Sequence, residues 1–271
     1  MSYFFKVLAA EAVKQQKNYF HNKTIYISLF LWPVLAFISA YYSYKPFQVD
    51  KIAGIVSYIN EDNLIVFMLV GYMSLLFFRT LVQSAWMFSF ERIYGTLELI
   101  YLTPANRLAF ILGNAVSSLF TSVWMFAAFG VGIMILKGRY FNIDPYSALA
   151  GIVLMVVLSV LWGILLNSLF LFSRDTGFLY TVLEEPMEIF AGIKIPMGVF
   201  PIWAKMISMI FPLTYSTEIL RRALLNGDSI YELRGFILIS IFVGILMFFI
   251  TLFCLKAGES HAKKTGSMSL F

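Results

Sequence analysis

Trp86–Pro104 reads WMFSFERIYGTLELIYLTP, and the organisation of the whole chain follows from how this stretch is read. At helical spacing Trp86, Phe90, Ile93, Leu97 and Ile100 fall on one stripe, and Glu91, Gly95 and Glu98 fall on the opposite one. That pattern predicts a helix lying along a membrane face. Thr103-Pro104 ends it, because proline lacks the amide that a continuing helix needs and pushes the residue before it out of helical geometry. Two acids and a glycine turned to water suit docking into another protein. An interfacial helix that merely joins two membrane crossings has the same pattern.

Composition sets the class. The chain has 271 residues, 60% hydrophobic and 13% charged, with a mean hydropathy of +0.82, which is the balance of an integral membrane protein. The net charge of +5 is scattered between apolar runs, so it reads as topology rather than a nucleic-acid surface, and no nucleic-acid partner is expected. Cys254 has no second cysteine to pair with, and His21 and His261 lie near opposite ends without metal-ligand spacing. Nothing matches GxxxxGK[ST], so no nucleotide-binding cofactor site is expected on this chain.

Residues 1–23 read as an interfacial amphipathic helix, with Phe4, Phe5, Leu8, Ala9 and Ala12 on one face and Lys6, Lys14 and Lys17 toward lipid headgroups. A signal peptide is the alternative, but Lys6 interrupts its would-be apolar core. Membrane crossings are expected at 24–44, 63–83, 107–136, 146–172, 177–195 and 235–255, with Pro33 kinking the first and the polar stretch 45–62 joining the first two. Lys6, Lys14, Lys17, Lys23, Arg79, Arg92, Arg107, Arg174, Lys256, Lys263 and Lys264 gather on one side, against Lys45, Lys51, Lys137 and Arg139 on the other. The richer side is cytoplasmic and holds both termini and the 86–104 helix, with the tail from Lys256 polar and loose at its end.

The fifth crossing is unusual. Glu184, Glu185 and Glu188 lie deep in it, where each charge costs about 2.5–3.5 kcal/mol on insertion scales, so they must face protein or water. Pro196, Pro201 and Pro212 then break the backbone into short re-entrant helices over 196–234, tolerated at depth only against protein or a cavity. In the last of these, Thr214 is expected as the cap, Arg221 and Arg222 oppose the helix dipole, and Gly227 takes the left-handed closing position.

FERIYGTLELIYLTP resembles the first cytoplasmic loop of the permeases of type-2 ATP-binding cassette (ABC) exporters, on Glu91, Arg92, Gly95, Thr96, Leu97, Glu98 and Pro104. FPLTYSTEILRRALLNGD resembles that family's outer pattern on Pro212, Thr214, Glu218, Arg221 and Gly227. The resemblance spans the chain and implies a single all-α transmembrane domain over 1–271, with six crossings and both termini cytoplasmic. By the same resemblance 86–104 is a coupling helix that docks an ATPase through Glu91, Arg92, Gly95, Thr96 and Glu98. It implies a second permease, identical or related, and two ATP-binding subunits that hold ATP and Mg, all in the plasma membrane of a bacterium or archaeon.

The resemblance thus implies a multi-pass permease that exports a drug, antibiotic, peptide or other amphiphile and is not itself an ATPase. Glu184, Glu185 and Glu188 are candidates for the pathway, favouring a cationic group; alternatively they are protonated, or bond Arg79 or a partner chain, and only hold the helix break. Trp32, Phe37, Tyr41, Tyr42, Phe67, Tyr72, Phe77, Phe78, Trp124 and Trp162 could stack on sugars in export of a lipid-linked polysaccharide or teichoic-acid-type glycan, or serve as belt and packing residues. An intramembrane enzyme using the buried glutamates is the rival from another class, and it lacks a second catalytic group at depth. A passive channel would leave the docking helix unexplained.

Overall fold

The computed structural model describes residues 3–20, 64–93, 142–170 and 176–265 continuously, with scattered positions between 24 and 42 and between 95 and 131. The helices described without interruption are α1 (Tyr3–Phe20), α2 (Leu64–Ile93), α3 (Pro145–Phe170), α4 (Thr176–Phe190), α5 (Ile202–Ser208), α6 (Pro212–Arg221) and α7 (Ile230–Thr265). No strand occurs among the described residues. The polar connection 45–62 lies outside them, as do most positions of the first and third expected crossings.

The helices start where local chemistry favours it. Asp144 caps α3 by accepting a hydrogen bond on Oδ2 from the Ser147 amide at 2.8 Å, and Pro145 supplies the first turn with a preset φ. Ser229 and Glu232 start α7 with the reverse bond: Oε2 of Glu232, in the first turn, accepts from the Ser229 amide at 2.7 Å and from its hydroxyl at 2.9 Å. Among the described residues two segments, Pro145–Leu166 and Ile230–Gly258, are long and apolar enough to cross a membrane.

α3 is the central helix, packing against α2, α6 and α7. Gly151 and Gly244 let it come close. A Cβ on Gly151 would sit 3.0 Å from Leu220 Cγ, and one on Gly244 would sit 3.3 Å from Leu158. Phe67, Phe77, Phe78, Met155, Leu166, Met187 and Ile193 are buried in the shared core. Hydroxyls at this depth bond to their own helix: Ser74 donates to the Val70 carbonyl at 2.9 Å, Ser168 to that of Leu165 at 2.6 Å, and Thr251 to that of Met247 at 2.7 Å. The outward side of α7 presents Leu238, Phe242, Ile245, Phe249 and Phe253, as a lipid-facing helix does.

α2, α3 and α7 all begin at one end of the molecule. Asn142, just before α3, donates from its side chain to the Asn226 carbonyl at 3.0 Å, and the Asp144 amide donates to the Ala223 carbonyl at 2.9 Å. At the opposite end α2 stops at Ile93 and Gly95 follows with φ +71°.

Several expectations are corrected. Trp86–Ile93 is the continuation of α2, not the start of a separate flat helix, because the run from Leu64 contains no proline and is first interrupted by Gly95, whose left-handed conformation breaks helical geometry. Helical positions reappear at Leu99 and Leu102. The tail stays helical from Lys256 to Thr265, because no proline or cap intervenes, and its end at 266–271, expected to be loose, lies outside the described residues. α7 begins at Ile230, five residues before the expected Gly235, since Ser229 and Glu232 cap it there.

α1 also faces differently. Glu11 and Gln15 are its buried residues, while Tyr3, Phe5 and Val13 are exposed. The Gln15 amide donates to Glu11 Oε1 at 2.8 Å and Lys14 Nζ lies 3.1 Å from the same oxygen, so the polar side is satisfied where it packs. Gly113 makes room: a Cβ there would be 2.7 Å from the Leu8 carbonyl oxygen and 2.8 Å from Glu11 Cβ.

Candidate functional site

Three stations lie along α2. Its 30 residues make a rod about 45 Å long at 1.5 Å per residue.

The first station is a socket around Arg221. This side chain is 1% exposed, yet a bare charge in such surroundings is costly unless it is bonded. Backbone oxygens supply the bonds. Nε donates to the Phe67 carbonyl at 3.3 Å, Nη1 to that of Gly192 at 2.6 Å, and Nη2 to that of Ile193 at 2.6 Å. Hydrogen bonds to a charged group contribute about 1.5–3 kcal/mol each. The Phe67 ring lies 3.6 Å from the guanidinium carbon, and its negative face adds attraction. Gly71 leaves the space, since a Cβ there would overlap Arg221 Nη2 and lie 2.6 Å from the Ile193 oxygen.

Residues 191–201 reach this socket because α4 stops early. Pro186 interrupts its bonding pattern, and Gly192 turns left-handed at φ +77°. The carbonyls exposed by these breaks find hydroxyls. Ser208 donates to Phe190 at 2.5 Å, Thr214 to Ser208 at 2.8 Å, and Tyr215 to Met209 at 2.9 Å. Thr214 is therefore not the cap of α6; Pro212 starts that helix with Phe211 at the cap position, and the Thr214 hydroxyl is already committed to Ser208. Pro212 and Thr214 are both buried.

Arg221 and Arg222, expected together at the helix end, have separate partners. Arg222 Nε is 3.0 Å from Glu218 Oε1 and its guanidinium stacks 4.8 Å from the Phe236 ring. A π-turn over Arg222–Asn226 separates the two directions, and Gly227 closes it at φ +74°, in the left-handed position expected. The Gly227 and Asp228 amides both donate to the Arg222 carbonyl, at 3.0 and 3.3 Å.

The second station is an ion network at Arg79. Its Nη2 lies 3.1 Å from Glu188 and 3.9 Å from Glu185, and its Nε lies 3.8 Å from Glu184. Lys194, which the sequence did not single out, lies 2.8 Å from the other oxygen of Glu188. The three glutamates do come together, but they differ in exposure. The Glu184 side chain is 2% exposed, that of Glu188 23% and that of Glu185 66%.

The third station is the elbow at Gly95. It is exposed, and a Cβ there would meet nothing within 4 Å, so conformation rather than space calls for glycine. Gly95 is therefore not a position within the helix that the 86–104 pattern predicts. Glu91 and Arg92 lie in the last turn of α2, whereas Thr96, Leu97, Glu98 and Pro104 fall outside the described residues.

A continuous helix thus joins an exposed elbow at one end to a segment of short, broken helices at the other. The chain matches the family model of the ABC-2 type transporter over residues 6–225. It belongs to the ABC-2 type transporter family. All three stations of this ABC-2 permease fall within the matched residues. It is also 26% identical over 217 residues to a protein of Cyanophora paradoxa, ycf38, a transport permease by name, covering 76% of this chain and 70% of that one. An ABC-2 permease is the membrane component of an ABC transporter and works with an ATP-binding partner; it is not the ATPase.

The aromatic residues of this permease divide. Phe67, Tyr72, Phe77, Phe78 and Trp162 are buried in packing, and Trp162 meets Phe211 edge-on at 6.2 Å, so these rings are core and not a stacking platform. Tyr42 is exposed, while Trp32, Phe37, Tyr41 and Trp124 fall outside the described residues. Gly71 and Lys194 are site positions that sequence reasoning missed, since Gly71 matters through the distant Arg221 and Lys194 through Glu188 across the end of α4.

Proposed function

We propose that this permease forms half of the membrane pathway of an ATP-driven exporter. It pairs with a second permease, identical or related, and with two ATP-binding subunits that hold ATP and Mg. It would move a drug, antibiotic, peptide or other amphiphile outward across the plasma membrane of a bacterium or archaeon. Six crossings over the expected ranges, with both termini and the Gly95 elbow in the cytoplasm, belong to this reading. So does docking of the ATPase on Glu91, Arg92, Gly95, Thr96 and Glu98.

The observation that supports it most is the unbroken α2, ending at an exposed glycine elbow where the resemblance puts the docking segment. A push at the elbow travels along a rigid helix to the Arg79 network and the Arg221 socket without an intervening loop to absorb it. Of the three glutamates, Glu185 is the one proposed to reach the pathway, because Glu184 is buried and Glu188 lies between Arg79 and Lys194. A carboxylate in that position favours a cationic group on the cargo. The glycan alternative loses the support of the buried rings, and the ion pairs to Arg79 and Lys194 weigh against acid–base catalysis.

Co-expression with an ATP-binding subunit tests the reading. The two should copurify, and inside-out vesicles carrying both should take up fluorescent cationic amphiphiles only with ATP. Failure to copurify would overturn it.

A further inference from the structure

We propose that Arg221 is a positioning residue, the pin that makes the start of α2, the end of α4 and the re-entrant helices move as one body. It rests on the proposed function only in that nucleotide supplies the movement. One side chain on α6 spans three elements: its acceptors are Phe67 on α2 and Gly192 and Ile193 just past α4. Sliding α6 against either neighbour would strip acceptors from a guanidinium that is 1% exposed, so relative motion there is strongly opposed.

The socket is also built to shape. Gly71 leaves a gap that no other residue could leave, and the Phe67 ring closes one face at 3.6 Å. The Arg79 station contrasts with it. Arg79 is 32% exposed, and its pairs to Glu184 and Glu185 are 3.8 and 3.9 Å long, so this network holds α2 more loosely than the socket does. α2 thus pivots at Arg221 and slips at Arg79.

The test uses the assembled transporter with Cys254→Ser and a spin label at Met206→Cys on α5, an exposed position. Distances between this label and a second one at the corresponding position of the other permease are compared without nucleotide and with nucleotide trapped by vanadate. With Arg221 intact the distance should change on trapping. With Arg221→Lys, which keeps the charge but cannot reach three carbonyls, the change should be lost while ATP hydrolysis and assembly persist. An equal change in the lysine variant would overturn the pin, whereas labels that stay put in the unsubstituted protein would overturn the ATP-driven reading.

A second measurement needs neither the variant nor nucleotide. In hydrogen exchange under mild denaturant, amides of residues 64–71, 190–195 and 214–222 should open as one cooperative unit. Separate opening of any of the three would overturn the pin even if Arg221→Lys failed to fold.

Discussion

Arg79 lies 3.1 Å from Glu188 and thereby ties the middle of α2 to the last turn of α4. The same guanidinium reaches Glu184, which is 2% exposed, so its removal leaves a carboxylate in a place built for a counter-charge.

Arg79→Met should therefore destabilise the protein. Removing one side of a buried ion pair costs about 3–5 kcal/mol, and the partial exposure of Arg79 puts the effect toward the lower end. Arg79→Met combined with Glu184→Gln should recover part of the loss, because the coupling between the two side chains is then absent from both sides. Thermal unfolding in detergent over the double-mutant cycle measures this, and a strictly additive result would count against the coupling.

At the elbow, Gly95→Ala should weaken coupling for a conformational reason. An alanine held at φ +71° costs about 1–2 kcal/mol, although nothing surrounds it. Gly95→Asn should be milder, since asparagine tolerates the left-handed region. Glu98→Lys should uncouple ATP hydrolysis from transport and leave the membrane fold intact. Hydrolysis and uptake measured together on the three variants separate these outcomes.

Acid should loosen the start of α3. The Ser147 hydroxyl and amide beside Asp144 hold its carboxyl below the ordinary carboxylate value. A depressed folded-state pKa means that the stabilisation is complete above the unfolded value of about 3.9 and is lost as pH falls through the lower folded value. Asp144→Asn, which can still cap, should shed this acid dependence, whereas Asp144→Ala should lose the cap at every pH. Unfolding midpoints at neutral pH and near pH 3 compare them.

Gly113→Leu should lift α1 away from its seat. With a Cβ only 2.7 Å from the Leu8 oxygen, a larger side chain cannot be accommodated without moving the helix. Faster hydrogen exchange or proteolysis confined to residues 3–20 is the expected result, and unchanged protection would refute the packing described.

Much of this was legible beforehand. Apolar length located α3 and α7, the prolines located the broken segment, and the offset of Glu184, Glu185 and Glu188 from Arg79 raised the ion network as one of two readings. The left-handed Gly227 followed from residue type alone. Asp144-Pro145 with Ser147, and Ser229 with Glu232, carried start signals that went unread although the spacing was there.

Other features had no such signal. The acceptors of Arg221 are backbone oxygens, which every residue possesses, so no sequence pattern names Phe67, Gly192 and Ile193. The end of α2 was misjudged because an amphipathic stripe at Trp86–Ile100 looks alike whether it starts a new helix or finishes an old one. Only the φ of Gly95 separates the two.

The 36 residues of α7 make a cylinder about 54 Å long, against a hydrocarbon layer of about 30 Å. Even when tilted, it must stand clear of the lipid at the end where α2 finishes, carrying Lys256, Lys263 and Lys264 out with it. On the proposed docking at Gly95, the ATP-binding subunit would arrive beside a stiff, positively charged post. The gap between post and elbow limits the footprint of any subunit that fits there.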